Sequence, residues 1–154
     1  MSGSRGSALY EVVREVRPLV LNSVRVVEAG GRTDGLSVGM RAVLEVLAEV
    51  GAATVPALAA RLDLARQGVQ RHVNDLMALG CVEARVNPRH RRSVLIAVTP
   101  VGAAVFVRLR EAELEQLGGM AQECSSEEIA AAVKVLRALN RDVRRRALQI
   151  GAPA

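Results

Sequence analysis

The sequence predicts a mostly α-helical α+β protein that contains one two-stranded β-hairpin. Apolar residues recur at helical spacing through most of the 154 residues, which indicates amphipathic helices. The stretch "VNPRHRRSVLIAV" places an Asn-Pro turn signal before a β-branched run of strand length, which indicates a hairpin. Hydrophobic residues make up 50% of the chain but aromatic residues only 1%, so its core must be built from Val, Leu and Ala.

Two helices are predicted before residue 51. The first covers residues 7–29, and Pro18 is expected to kink or loosen it. Its apolar stripe consists of Leu9, Val12, Val13, Val16, Val20 and Val24. "GGRTDG" (30–35) is predicted to be a loop. The second helix covers residues 37–50, ends at Gly51 and has an apolar face formed by Met40, Val43, Leu44, Leu47 and Val50.

Two further helices separated by a tight turn are predicted next. Thr54 is expected to cap a short helix that ends at Leu62, since Pro56 is tolerated in a first helical turn. A break at Asp63-Leu64 precedes a helix over residues 65–79, which Gly80 closes. Two helices joined by so short a turn, the second presenting its N-terminal side chains, predict a helix-turn-helix.

The hairpin and two more helices complete the predicted chain. Residues 81–86 and 93–98 are the two strands, and Thr99 with Pro100 starts a helix that runs to about Leu117. A final helix is predicted to end at about Ile150. A hairpin that follows a helix-turn-helix is a wing, so the predicted architecture is a winged helix-turn-helix core.

Positive charge is concentrated in the second helix of this motif and in the hairpin. The chain carries a net charge of +5, and residues 66–92 contain six arginines against two acidic residues. An α-helix fits the major groove of B-DNA, and a basic hairpin beside it would lie over the neighbouring backbone or minor groove. The predicted DNA-binding residues are Thr54, Arg66, Gln67, Gln70, Arg71, Asn74, Arg89, His90, Arg91 and Arg92.

Residues 36–107 resemble the winged-helix core of the MarR family of transcription regulators. The matching stretches are "VPALAARLDL", "RQGVQRHVNDLMALGCVE" and "NPRHRRSVLIAVTPVG", the last of which is similar to the wing signature of that family. The resemblance implies a homodimeric regulator, most often a repressor, that binds a pseudo-palindromic DNA site. It also implies three regions: a dimerisation helix and loop (1–35), the DNA-binding core (36–100) and C-terminal dimerisation helices (101–154), integrated in one domain.

The resemblance further implies a possible small-molecule effector bound between the dimer helices and the winged helix. Tyr10 and Phe106, the two aromatic residues of the chain, are the candidates to line that pocket, although simple core packing also explains each of them. Neither the operator nor the identity of an effector can be deduced from the sequence.

The sequence departs from the family pattern at two positions. His90 stands where the family usually has the wing aspartate, so an Asp–Arg pair cannot hold the wing. We therefore expect a more positive hairpin whose order depends on DNA or on the protonation of His90. Ala65 stands where a serine often caps the recognition helix, and Asp63 is expected to take over that cap.

Other classes of function are disfavoured. Two histidines and two cysteines suggest no catalytic residues, metal site or cofactor, and "GGRTDG" lacks the strand and lysine of a nucleotide loop. The alternative is a winged helix that binds protein, as an antitoxin or anti-regulator would, but such a wing does not need the charge at Arg89–Arg92. No membrane span or CxxC pair is present, which favours the cytoplasm. Cys81 is expected to be buried and inert, and Cys124 to be a bystander rather than a redox sensor.

Overall fold

A computed structural model describes residues 4–29 and 35–150 of the chain. The elements follow in the order α1 (Arg5–Ala29), α2 (Val38–Val50), α3 (Val55–Leu62), α4 (Arg66–Ala78), β1 (Val82–Val86), β2 (Val94–Val98), α5 (Pro100–Gly118) and α6 (Ser126–Ile150). The prediction of a mostly helical protein with a two-stranded hairpin is confirmed. The chain divides into two compact units, Met1–Glu111 and Ala112–Ala154. Most of the predicted loop at 30–35 lies outside the described residues.

The core of the first unit is formed by α2, α3, α4, the hairpin and the first half of α5. Every buried hydrophobic side chain of the described residues lies between Leu36 and Leu109, and Val43, Leu44, Leu58, Val69, Val73 and Leu76 are inaccessible to solvent. As the composition predicts, these side chains are Leu and Val. Val50, which we expected on the buried face of α2, is 45% exposed, because the helix ends there and turns away at Gly51.

Capping residues and glycines start and end these helices close to the positions that the sequence predicts. Ser37 accepts a hydrogen bond from the Met40 amide at 3.3 Å at the start of α2, and Gly51 ends that helix with φ of 81°. Thr54 accepts one from the Ala57 amide at 3.3 Å at the start of α3. After α4, Gly80 adopts φ of 69°, and the Cys81 N–H reaches back to the Leu76 carbonyl at 2.9 Å. This is a glycine-closed helix end.

The hairpin is joined to the rest of the unit at both ends. β1 and β2 pair antiparallel from Val82↔Val98 to Val86↔Val94. Ala53, just before α3, forms a bridge with Ile96 through hydrogen bonds of 3.0 and 2.8 Å, which adds a short third segment to the sheet. At the other end, Thr99 donates to the Gly80 carbonyl at 2.5 Å and accepts from the Gly102 amide at 3.1 Å.

The two long terminal helices contrast with this core. α1 is continuous through Pro18, and no side chain of α6 is buried. At the start of α6, Ser125 and Glu128 cap each other: the Ser125 N–H donates to Glu128 at 2.8 Å and the Glu128 N–H donates to Ser125 at 3.2 Å. The backbone bond from Ser125, followed by its side-chain bond, holds the pKa of Glu128 below its ordinary value. Within residues 4–29 and 35–150, no helix is both long enough and apolar enough to cross a membrane.

Candidate nucleic-acid interface

Helix α4 presents a polar face opposite its buried face. Val69, Val73 and Leu76 are fully buried against the core. The predicted DNA-binding residues of this helix are all exposed: Arg66, Gln67, Gln70, Arg71 and Asn74. Gln70 Nε2 donates a hydrogen bond to Asn74 Oδ1 at 2.9 Å, so these two amides, one turn apart, form a pair on the exposed face.

The start of α4 has an unusual cap residue. Ala65 is the N-cap and provides no side-chain hydrogen bond. Asp63, which was expected to take over that cap, ends α3 in the left-handed conformation with φ of 53°. The tight turn requires that conformation, which Asp tolerates better than most residues.

The wing tip, defined as residues 87–93, is ordered by neutral groups. Asn87 Oδ1 accepts from the Arg89 N–H at 3.0 Å, and Asn87 Nδ2 donates to Ser93 Oγ at 2.8 Å. Ser93 in turn donates to the His90 carbonyl from its hydroxyl at 3.1 Å and from its amide at 2.9 Å. These bonds use only neutral side-chain and backbone groups of the tip, and the dependence of its order on DNA or on His90 protonation stays a prediction.

The tip leaves its charged side chains in solvent. Arg89, His90, Arg91 and Arg92 are all exposed. Among the described residues, none of the three arginines forms an ion pair with a carboxylate. By contrast, Arg85 on β1 is paired with Glu83 at 2.7 Å, so its charge is partly compensated within the strand.

A cleft of about 470 Å³ lies between the start of α3, helix α4 and the wing. Thr54 at the start of α3, Gln70 on α4 and Arg92 of the wing all line it. Its remaining lining is mainly apolar and consists of Val55, Pro56, Met77, Ala84, Ser93, Val94 and Ile96. Three predicted site residues that lie far apart in sequence thus border one surface depression.

Two contacts that position this surface were missed from the sequence. His72 packs against Gly39 of α2, where a Cβ atom would overlap the imidazole ring. Asn87 was interpreted only as a turn residue and Ser93 only as part of a strand. Spacing within a loop does not reveal which side chains meet across it, so no local signal identified this pair.

The candidate effector residues and the cysteines are placed as follows. Tyr10 is 64% exposed on α1, and Phe106 is half-buried and packs against the core. Cys81 is buried, as predicted, and Cys124 is exposed. In the described part of the chain no group of three or more His, Cys, Asp or Glu side chains could hold a metal ion.

Comparison with known proteins identifies the class to which this architecture belongs. The sequence profile of the MarR family matches residues 35–93. The crystal structure of a MarR family transcription regulator superposes with a TM-score of 0.77 and 37% identity, covering 92% of this chain and 94% of that one. The chain therefore belongs to the MarR family of transcription regulators, with the winged helix-turn-helix fold predicted from its sequence.

Two further relatives illustrate the range of similarity. The uncharacterized protein Rv2011c of Mycobacterium tuberculosis is 48% identical over 60 residues, which are 39% of this chain and 42% of that protein. The match thus spans less than half the length of this mycobacterial relative. FabT of Streptococcus pneumoniae, solved in complex with DNA, shares the fold at a TM-score of 0.68 and 21% identity, over 88% of this chain and 98% of FabT.

Proposed function

We propose that the protein is a sequence-specific regulator that binds double-stranded DNA through α4 and the wing. The observation that carries this proposal is the cleft at which Thr54, Gln70 and Arg92 meet, because it places a helix start, a polar helix face and a basic hairpin around one surface. A helix about 10–12 Å across fits the major groove, about 12 Å wide. FabT, which has the same fold, was solved in complex with DNA, and this supports DNA as the partner.

We assign recognition of the bases to α4 and contacts with the DNA backbone to the wing. Gln70 and Arg71 lie on the exposed face of α4, and Gln and Arg side chains make paired hydrogen bonds to adenine and guanine edges. Arg89 and Arg91, exposed and without a carboxylate partner in the described chain, are assigned to backbone phosphates. Arg66, Gln67, Asn74, Thr54, His90 and Arg92 complete the proposed interface.

The active form in this proposal is a homodimer on a pseudo-palindromic site. The terminal helices expose large apolar side chains that the described chain leaves uncovered, including Leu19 and Val20 on α1 and Ile129 and Val143 on α6. Pairing two copies about a two-fold axis would bury them, and it would present two α4 helices to two half-sites.

We further propose repression that is relieved by a small-molecule effector near Tyr10 and Phe106. Support for this part comes from membership of the family and from the exposure of Tyr10. A promoter–reporter fusion tests it directly, since deletion of the regulator must raise expression of the target promoter. Reduced expression after deletion would identify an activator instead.

The test of DNA binding is a gel shift with genomic fragments at two salt concentrations. We expect specific fragments to be retained, and Arg91→Ala to weaken binding to all sequences while lowering the salt slope by about 0.9. Gln70→Ala should instead cost about 1–3 kcal/mol at particular base pairs. Arg137→Ala on α6 is the charge-matched control. Absence of any retained fragment would favour the protein-binding alternative.

A further inference from the structure

We propose that Asn87 and Ser93 are positioning residues that lock the wing tip before DNA binds, an inference that rests on the proposed DNA-binding function. Their side chains and the backbone groups of Arg89 and His90 form what we name the tip clamp. The clamp closes the loop from both ends: Asn87 follows β1 and Ser93 precedes β2.

The tip clamp is a chain of hydrogen bonds with consistent donors and acceptors. The Asn87 amide uses Oδ1 to accept from the Arg89 N–H and Nδ2 to donate to Ser93 Oγ, at 3.0 and 2.8 Å. The Ser93 hydroxyl in turn donates a hydrogen bond to the His90 carbonyl at 3.1 Å. The first of these is an Asx turn, which mimics a backbone turn. Because Ser93 is half-buried, its hydroxyl is partly shielded from competing water.

The chemistry of the tip explains why neutral groups suit this role. Residues 87–93 contain three arginines and no carboxylate, so mutual repulsion opposes a compact loop. An internal ion pair would hold the loop only by neutralising one guanidinium. Since Asn and Ser do not ionise, the clamp does not depend on the charge of its own side chains, and it leaves all three positive charges available to an anionic partner.

The clamp also positions the backbone of Arg92. Ser93 and Arg92 both line the cleft that contains Gln70 and Thr54, so anchoring Ser93 keeps the adjacent Arg92 backbone at the edge of that cleft. A loop without the clamp would have to be ordered when DNA binds, and ordering backbone on binding weakens affinity. The clamp therefore removes that cost in advance.

Limited trypsin digestion of the free protein tests the clamp without DNA. Bonds after Arg89, Arg91 and Arg92 lie inside the tip, so their cleavage rate reports how often the tip opens. We expect Asn87→Ala and Ser93→Ala to speed tip cleavage by about fivefold to tenfold, the equivalent of one net hydrogen bond. Ser93→Thr, which keeps the hydroxyl, and Asn140→Ala, at an exposed asparagine of α6, should cleave at the wild-type rate. Equal tip cleavage in all variants would overturn the proposal.

DNA titrations of the same variants test the consequence. Asn87→Ala should bind specific and non-specific DNA about fivefold more weakly with an unchanged salt slope, because no charge is lost. Arg91→Ala should lower the slope. A changed slope in Asn87→Ala, or unchanged affinity beside faster tip cleavage, would overturn the positioning role. If the wild type bound no DNA while the digestion pattern held, the proposed function would fail and the clamp itself would stand.

Discussion

The region between Leu36 and Leu109 differs from the helices that flank it in how its apolar side chains are covered. The central region buries every hydrophobic residue that the described chain buries. α6 buries none, and Val20 and Leu148 of the flanking helices are 54% and 71% exposed. The stabilising free energy from burying hydrophobic side chains is roughly proportional to the apolar area removed from water. The central region therefore contains the contacts for its own stability, whereas the described side chains of the flanking helices bury little apolar area within the chain.

The largest expected effect is loss of volume in the central core. Leu44→Ala removes a side chain with no solvent exposure and should lower the free energy of unfolding by about 2–5 kcal/mol. Leu148→Ala on α6 is the matched control and should leave the stability of the central region unchanged. Chemical denaturation of both variants at one protein concentration measures the difference. Equal losses would show that the comparison between core and flanks is wrong.

A steric change at the junction of the hairpin and α5 should be almost as damaging. A Cβ atom at Gly102 would overlap the carbonyl oxygen of Cys81, whereas one at Gly118 would meet no atom within 4 Å. Gly102→Ala should therefore cost about 1–3 kcal/mol or more, as overpacking does. Gly118→Ala, in the same helix, should be neutral or stabilise by up to about 1 kcal/mol. Thermal melts distinguish these outcomes, and similar melting temperatures would refute the close approach at Gly102.

The helix boundaries could be predicted from the sequence. Each boundary is marked by a glycine or a capping threonine that lies at the end of its helix: Gly51, Thr54, Gly80 and Thr99. Local sequence patterns therefore located these boundaries. The bridge between Ala53 and Ile96 joins segments over forty positions apart, and nothing in "GAAT" indicates a strand. Local patterns do not encode such pairing.

The candidate DNA-binding surface was predictable to a similar extent. Spacing and residue type placed Arg66, Gln70 and Arg71 on the exposed face of α4, and the structure shows all three exposed. The sequence already showed the missing serine cap at Ala65. It did not show the side-chain bond from Asn87 to Ser93, which depends on the path of the backbone through a turn. Charge and periodicity therefore identified the exposed polar and basic residues of α4 and the wing, but not how the wing loop is held.

A carboxylate introduced on the exposed apolar face of α6 should dissociate the proposed homodimer without unfolding the central core. Ile129 is 51% exposed on α6, and Ile129→Asp would place a carboxylate in the proposed interface at a cost of about 1–3 kcal/mol per copy. Light scattering should show a dimer for the wild type and a monomer for the variant, with the cooperative unfolding of the core retained. Ala131→Asp adds the same charge at an exposed position on the opposite side of α6 and should stay dimeric. A wild-type monomer at micromolar concentration would contradict the proposed architecture.

The smallest expected effect concerns the cap of α6, which belongs to the flanks. The hydrogen bond from the Ser125 N–H, and next that from its side chain, hold the pKa of Glu128 below its ordinary value of 4.5. A carboxylate whose pKa is lowered by folding stabilises the folded state above its ordinary pKa, and that contribution is lost as the pH falls below 4.5 through the lowered value. Circular dichroism should therefore show slight fraying of α6 in that acidic range, and Glu128→Gln should reproduce it at neutral pH. Glu127→Gln removes a charge from the same turn but leaves the bonds between Ser125 and Glu128 in place, so it should fray less. If both variants frayed equally, the helix start would depend on charge near its N-terminus rather than on the reciprocal cap.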